Sequence, residues 1–509
     1  MAYFCTDSTS EIWRIFLTSR PWLSSTEVLY EEFDLVDLTV IWPLKSASLS
    51  LIAFLEPNPV DTVIKETIIP SATESLPMKM ITLERLFLLS LENAIFLEKY
   101  KGNFKLMNLD FKIKNLLLIC LIFLGVFHQY YSQTQAPKGF KTGADQPELY
   151  LPLLKGKTIG VVTNQTGLMS DRTHVVDFLV KNGIKIKSIF APEHGFRGDA
   201  DAGEKVKNGI DIKTGIPIVS LYGNNKKPKP EQLKGIDIVV FDIQDVGVRF
   251  YTYISTLTYL MEAGAENNVE VMVLDRPNPH DGYTDGPVLD KKWTSFVGMH
   301  EVPVVYGLTI GEYGKMVNGE KWLEKGIQAK YTLIPMKNYH KRLRYPMLDK
   351  PSPNLPNDKS INLYPSLCFF EGTQVSVGRG TDLPFQVYGS PWTKSLPYQF
   401  TPKPNFGAKD PFLNGKLCYG ENLSGYPKDL KELNMEWVIK AYQSYKNPDL
   451  DFFLKPASGK NFWFDTLAGN DTLRKQIVAG KSIAEIKASW KPGLERFEKI
   501  RKKYIIYEN

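Results

Sequence analysis

Glycine is missing from the first hundred residues of this 509-residue chain, although 37 glycines follow from Gly102 onward. At the usual frequency roughly seven would fall there. Turns with positive φ have almost no supplier besides Gly and Asn, and Asn is scarce in the same stretch. Residues 1–106 are therefore not expected to form a folded globular domain. Cysteine is also sparse, at four residues, which excludes a disulfide-stapled scaffold. Cys5 and Cys120 lie in the N-terminal segments, leaving Cys368 and Cys418. One disulfide in an oxidising compartment and two buried thiols fit that pair equally well.

Several signatures of common chemistries are absent too. The turn after the first strand of the glycine-containing region, "TNQTGLMSDR", has one Gly and no G-x-G-x-x-G, and no Walker pattern occurs, so nucleotide binding is not expected. No G-x-S-x-G elbow marks a serine nucleophile. His174, His194, His280, His300 and His340 are scattered, with no H-E-x-x-H spacing, so neither a metal nor a cofactor is expected. The net charge is only +6, with 62 basic against 56 acidic residues. The basic tail "RFEKIRKKY" alternates charged and apolar residues as a solvated helix does, and nucleic acid is not an expected partner.

What is present begins with a displaced export signal. Lys112 and Lys114 precede an apolar run from Leu116 to Phe127, and "YYSQTQ" follows with Ser132 as a small residue for cleavage. This is the layout of a secretory signal peptide, here over residues 107–132. The run is shorter than the ~20 residues that span a bilayer. Translation is accordingly expected to start at Met107, with residues 1–106 a mis-assigned extension and the mature protein exported, to the periplasm. Cys120 follows Ile119 rather than a small residue, so lipidation is not expected.

Beyond it, strands rich in Val and Ile alternate with helical segments: "KTIGVVTN" (157–164), "IKIKSIFAP" (184–192), "IPIVSLYG" (216–223), "IDIVVFDIQDVG" (236–247), "VEVMVLDRPNP" (269–279), "VPVVYG" (302–307) and "YTLIPM" (331–336). Such alternation predicts an α/β, Rossmann-like, mostly parallel sheet with helices on both faces, over residues 145–345. The rhythm ends near residue 345, where "YPMLDKPSPNLPN" is Pro-rich. Residues 346–509 are expected to form a smaller α+β auxiliary domain that closes a cleft, with helices near 431–445 and 472–488.

Right-handed crossovers bring the C-terminal ends of parallel strands to one rim, where ligands bind. Five successive loops on that rim carry Asn164, Gln165, Glu193, His194, Arg197, Tyr222, Asp242, Gln244, Asp245, Arg249, Asp275, Arg276 and Asn278. Glu193 stands between Pro192 and the "HG" of "APEHGFRG", a rigid residue before it and a permissive one after. Glu371, beside Phe370, sits where desolvation would raise a carboxyl's pKa, as a general acid requires. Glu312 has a structural explanation in the capping-box spacing Thr309-x-x-Glu312. Asp242 and Asp245 bracket a buried strand end and have helix capping, from about Val248, as their structural alternative. Glu301 stands just before a strand as a solvated end.

Together "TNQTG", "APEHGFRG", "FDIQDVGVRFYTYISTL", "DRPNP" and "FEGTQVSVGRGTDLPFQ" resemble the bacterial exo-β-N-acetylmuramidases, the NamZ-like glycoside hydrolases, from about residue 145 to the C-terminus. The resemblance implies a Rossmann-like domain with an auxiliary domain, a cleft between them, and release of terminal N-acetylmuramic acid from the non-reducing ends of peptidoglycan fragments. It implies Glu193 as the leading catalytic carboxylate and Glu371, ahead of Asp242 and Glu301, as the second. His194 would orient Glu193 or the substrate, or simply pack. Muramic acid carries a lactyl carboxylate, for which Arg249, Arg276 and Arg379 offer bidentate guanidinium forks. Asn164, Arg197, Asp245, Tyr253, Asn278 and Asp382 complete the expected substrate contacts. The alternatives are a non-catalytic muropeptide-binding protein and a hydrolase of another acidic sugar.

N-terminal sequencing of the protein purified from its native source is expected to start near Gln133. Recovery of peptides from residues 1–100 would overturn the assignment.

Overall fold

The computed structural model describes residues 2–6, 12–17, 37–41, 50–54 and 137–507, apart from 194, 197–207, 342, 344, 346, 428 and 456–460. The chain divides into two compact units, Met1–Leu106 and Met107–Asn509. In the first, where no folded domain was expected, the strands β1 (Ala2–Thr6), β2 (Ile12–Leu17), β3 (Asp37–Ile41) and β4 (Ser50–Phe54) pair in sequence order as an antiparallel meander. The signal-like stretch 107–132 lies outside the described residues.

The second unit is built on a seven-stranded sheet. Its strands are β5 (Thr158–Thr163), β6 (Lys185–Ala191), β7 (Gly209–Ile210), β8 (Pro217–Ser220), β9 (Ile238–Asp242), β10 (Glu270–Leu274) and β11 (Tyr331–Ile334), in spatial order β11-β10-β9-β5-β6-β8-β7. All pairings are parallel except that of the short edge strand β7 with β8. The chain runs outward from β5 through β6 to β8, then returns to the other side of β5 to lay down β9, β10 and β11. The β5/β9 boundary is therefore the topological switch point, outside whose carboxyl ends α/β sheets bind ligands.

Residue alternation explains why both faces are covered. In β9, Val239 and Phe241 face one core while Ile238 and Val240 face the other; Val271 and Val273 of β10 alternate with Met272 and Leu274 in the same way. The helices Pro147–Leu154 and Val175–Lys181 cover the second face, and Tyr253–Asn267 and Ile310–Gly319 the first. The smaller part carries an antiparallel sheet of β12 (Val387–Ser390), β14 (Cys418–Asn422) and β13 (Tyr398–Phe400), with β14 in the middle. Its apolar residues, including Phe369, Phe370, Trp437 and Phe464, join the same core as Val239 and Phe241, so burial is continuous across the expected boundary at residue 345.

Three local expectations are corrected. Residues 302–306 are buried but form no strand of the sheet; Val305 makes isolated bridges with Val248 and Asp285. The apolar run is explained by burial under other loops, which periodicity does not distinguish from a buried strand. The helix expected from Val248 begins at Tyr253. The helix expected over 472–488 is two helices, Thr472–Val478 and Ile483–Arg501, because Gly480 takes a left-handed conformation and Ser482 opens a new capping box with Glu485. Cys368 and Cys418 are buried free thiols, which settles their open pairing.

The C-terminal tail is clasped to the sheet domain. Tyr507 donates to Asp275 Oδ2 (2.6 Å) and accepts from the Met336 amide (2.9 Å), while the Ile506 amide donates to Glu312 Oε1 (2.9 Å). Glu312 also closes the capping box on Thr309 and pairs with Lys341 at 2.6 Å, both side chains fully buried. Tyr507→Phe leaves the Met336 amide and Asp275 short of a partner and is expected to cost about 1–3 kcal/mol, read as a lower urea midpoint with an unchanged m-value.

Candidate active site

A cavity of about 960 Å³ opens at the carboxyl rim of the sheet. Glu193 reaches it from the turn after β6, where Pro192 and Gly195 (φ +77°) close a tight corner, as their flanking positions predicted. Both carboxylate oxygens accept hydrogen bonds from neutral hydroxyls: Tyr222 to Oε1 at 3.0 Å and Thr252 to Oε2 at 3.2 Å. Tyr222 follows β8, the neighbour of β6, so sheet order alone places its loop beside that of Glu193. Burial and the adjacent Glu193 carboxylate push the Tyr222 phenol well above its ordinary range.

The opposite wall comes from the smaller part. Glu371 sits in the short turn Cys368–Gly372, and Gly372 lies so close to the backbone of Phe464 that a Cβ would meet it at 2.4–2.5 Å. That approach seats the helix Trp463–Ala468 and brings Trp463 to the cavity. Arg379 donates from Nε (3.0 Å) and Nη2 (2.7 Å) to the same oxygen, Glu371 Oε1, while the Cys368 thiol faces Oε2 at 3.7 Å. Desolvation lowers the Arg379 pKa, but the Glu371 carboxylate outweighs it and the net shift is upward. The setting predicted for Glu371, a carboxyl desolvated by aromatics, is thus instead an ion pair.

The Pro-rich stretch forms a third wall. Tyr251 donates to Pro351 O at 2.8 Å, Gln165 to Lys350 O at 3.1 Å, and Asn354 to Gly407 O at 2.6 Å, which fixes both that stretch and the 407–412 loop around the opening. Tyr253 also lines the cavity; its hydroxyl accepts from Asn164 Nδ2 at 2.7 Å, and burial drives its pKa upward. Asn164 is buried behind Tyr253 and orients it.

Of the predicted rim and site residues, Glu193, Tyr222, Tyr253, Glu371 and Arg379 therefore meet at one cavity, and the other described ones do not line it. Asp242 and Arg276 form a buried bidentate pair, Nε–Oδ1 2.5 Å and Nη2–Oδ2 2.8 Å, with side-chain exposure of 0% and 3%. Arg249 is fully buried and donates to three carbonyls, Pro287 O (2.8 Å), Val302 O (2.7 Å) and Leu467 O (2.9 Å); burial lowers its pKa to about 9. Asp245 is buried on Tyr306 and the Gly247 amide, and burial raises its pKa to about 6. Asn278 donates to Leu308 O, and Gly247 (φ +74°) lies so close to its side chain that a Cβ would collide. Asp382 is exposed, and Glu301 pairs at the surface with Lys291. His194 and Arg197 fall outside the described residues. The rim argument points to the edge where the cavity opens, but strand-end polarity did not separate residues that build the rim from those that face the cavity.

Sequence reasoning missed Thr252, Lys226, Phe296 and the 407–412 loop, all cavity-lining. Thr252 lay within the motif "FDIQDVGVRFYTYISTL" and Lys226 just past "LYGNN"; Phe296 and the 407–412 loop carried no local signal. Among the described residues no group of His, Cys, Asp and Glu has metal-binding geometry, and no helix is long and apolar enough to cross a membrane.

The family model for the N-terminal part of exo-β-N-acetylmuramidase NamZ matches residues 159–359, and that for its C-terminal part residues 362–507. A peptidoglycan β-N-acetylmuramidase NamZ of Bacillus subtilis (strain 168) is 42% identical over 398 residues, 74% of this chain and 93% of that protein. The chain belongs to the NamZ family. Crystal structures of two DUF1343 family proteins from Bacteroides fragilis share the fold. One has a TM-score of 0.66 at 45% identity, covering 73% of this chain and 100% of its own; the other has 0.60 at 28%, covering 72% and 99%. The Glu193 cavity of this NamZ-family chain joins residues from both model segments, Glu193 from the first and Glu371 and Arg379 from the second.

Arg276→Ala strands Asp242 without a partner in the core and is expected to cost about 3–5 kcal/mol in urea unfolding. A selective rise in KM for an N-acetylmuramide at unchanged stability would instead make Arg276 a substrate contact.

Proposed function

We propose that this protein is an exo-acting glycoside hydrolase that releases terminal N-acetylmuramic acid from the non-reducing ends of peptidoglycan fragments in cell-wall turnover. The observation that carries this reading is that Glu193, from the sheet rim, and Glu371, from the smaller part, line one cavity. Glycosidic cleavage generally uses a carboxylic acid that protonates the leaving oxygen and a second carboxylate as nucleophile or base. The two acids have different partners, and this assigns their roles. Protonating Glu371 breaks its ion pair with Arg379, whereas the Tyr222 and Thr252 hydroxyls on Glu193 can reverse their donor role when it is protonated. Glu193 is accordingly the proton donor and Glu371 the partner carboxylate held in place by Arg379.

The charge and hydropathy of residues 107–132 support export, and a periplasmic site of action brings the enzyme to peptidoglycan. Glu193→Gln keeps the side chain's shape and one acceptor oxygen but removes the transferable proton. It is expected to lower turnover of a chromogenic N-acetylmuramide at least about 100-fold, with an unchanged unfolding midpoint. Retention of more than a tenth of wild-type turnover would overturn the assignment.

A further inference from the structure

We infer that Lys226 is the cation that receives the lactyl carboxylate of the substrate, an inference that rests on the muramidase reading above. A carboxylate-bearing sugar bound in a partly buried cavity needs a fixed positive charge, and the three arginines expected to supply it are otherwise engaged. Arg249 is enclosed by backbone carbonyls, Arg276 is locked to Asp242 in the core, and Arg379 grips Glu371. Lys226 differs from all three. It lines the cavity with Glu193 and Tyr222, and its Nζ lies 4.2 Å from the centroid of the Phe296 ring. Among the described residues it has no carboxylate partner.

The neighbouring residue sharpens the contrast. Lys227 is tied to Glu262 (3.2 Å), Glu266 (2.8 Å) and Glu324 (3.8 Å), which anchors the loop to the helix Tyr253–Asn267 and orders the chain around Lys226. The shelf beneath Lys226 is anchored on the same helix. Phe296 stacks on Tyr259 with ring centroids 6.0 Å apart and planes 12° apart, and Phe296 O accepts from Ser255 Oγ at 2.7 Å. A cation resting on an aromatic face is oriented, yet its ammonium retains donors for an incoming anion. The loop is also in the right place. Lys226 lies four residues past Tyr222, whose hydroxyl touches Glu193, so one loop would hold the proton donor and bind the substituent that distinguishes muramic acid from glucosamine.

The test compares two chromogenic glycosides, the N-acetylmuramide with a free lactyl acid and its lactyl methyl ester, on the full chain and on Lys226→Met and Lys226→Arg. The expected result is that Lys226→Met raises KM for the acid about 10- to 100-fold, the range of one charge-assisted hydrogen bond, and for the ester less than threefold. Lys226→Arg is expected to restore KM for the acid to within about tenfold of wild type. Equal effects on both substrates, or none on either, would overturn the inference. If the unmodified enzyme hydrolyses neither glycoside, the muramidase reading itself fails and the inference falls with it, which a selective loss in Lys226→Met cannot be mistaken for.

Discussion

Parallel pairing of β5, β6, β8, β9, β10 and β11 is the constraint on which the site depends. Each strand must return to the same starting edge, so each ends at the same rim, and the reversal of direction at β5 opens a crevice between diverging loops. Glu193 and Tyr222 follow adjacent strands and touch across that rim without any further device. The second wall then needs only one segment of chain to cross over the opening. Tyr251, Gln165 and Asn354 hold the Pro-rich stretch in that position by hydrogen bonds to backbone carbonyls and through the 407–412 loop.

The rim separates its polar groups by depth. Deep groups are paired and build the scaffold: Asp242 with Arg276, Glu312 with Lys341, and Asp275 with Thr309 and Tyr507. Breaking such pairs is costly because the abandoned charge stays buried. Arg249 is the extreme case, a guanidinium without a carboxylate partner among the described residues, whose carbonyl contacts reach Leu467 in the smaller part. It works as a bolt between the two parts, at the expense of a pKa lowered to about 9 by burial. Groups nearer the opening, Glu193, Glu371, Arg379 and Lys226 among them, line the cavity instead.

This depth ordering also explains what could be read in advance. The strands β5, β6, β8, β9, β10 and β11 were legible because Val and Ile crowd short runs bounded by polar turns. Residues 302–306 carry the same signal and are buried for a different reason, under loops rather than between strands. Glu193 was legible from its Pro and Gly neighbours, Glu312 from its capping spacing, and Glu371 from the aromatic beside it. The partners of Asp242 and Glu371 were not, because an ion pair between residues 34 or 8 positions apart has no local signature. Lys226 went unremarked because its aromatic shelf lies 70 positions further along the chain.

The order of residues alone determined the alternation of strands and helices, the rim on which chemistry collects, and the family to which the chain is similar, since each depends on local pattern or motif. Tertiary structure decided which of the described polar rim residues face the cavity. It also paired Asp242 with Arg276 and set Arg379 on Glu371 and Lys226 on Phe296. The reason is physical: local pattern governs what a segment becomes, but whether a charge is buried or open to ligand depends on which distant segment packs over it.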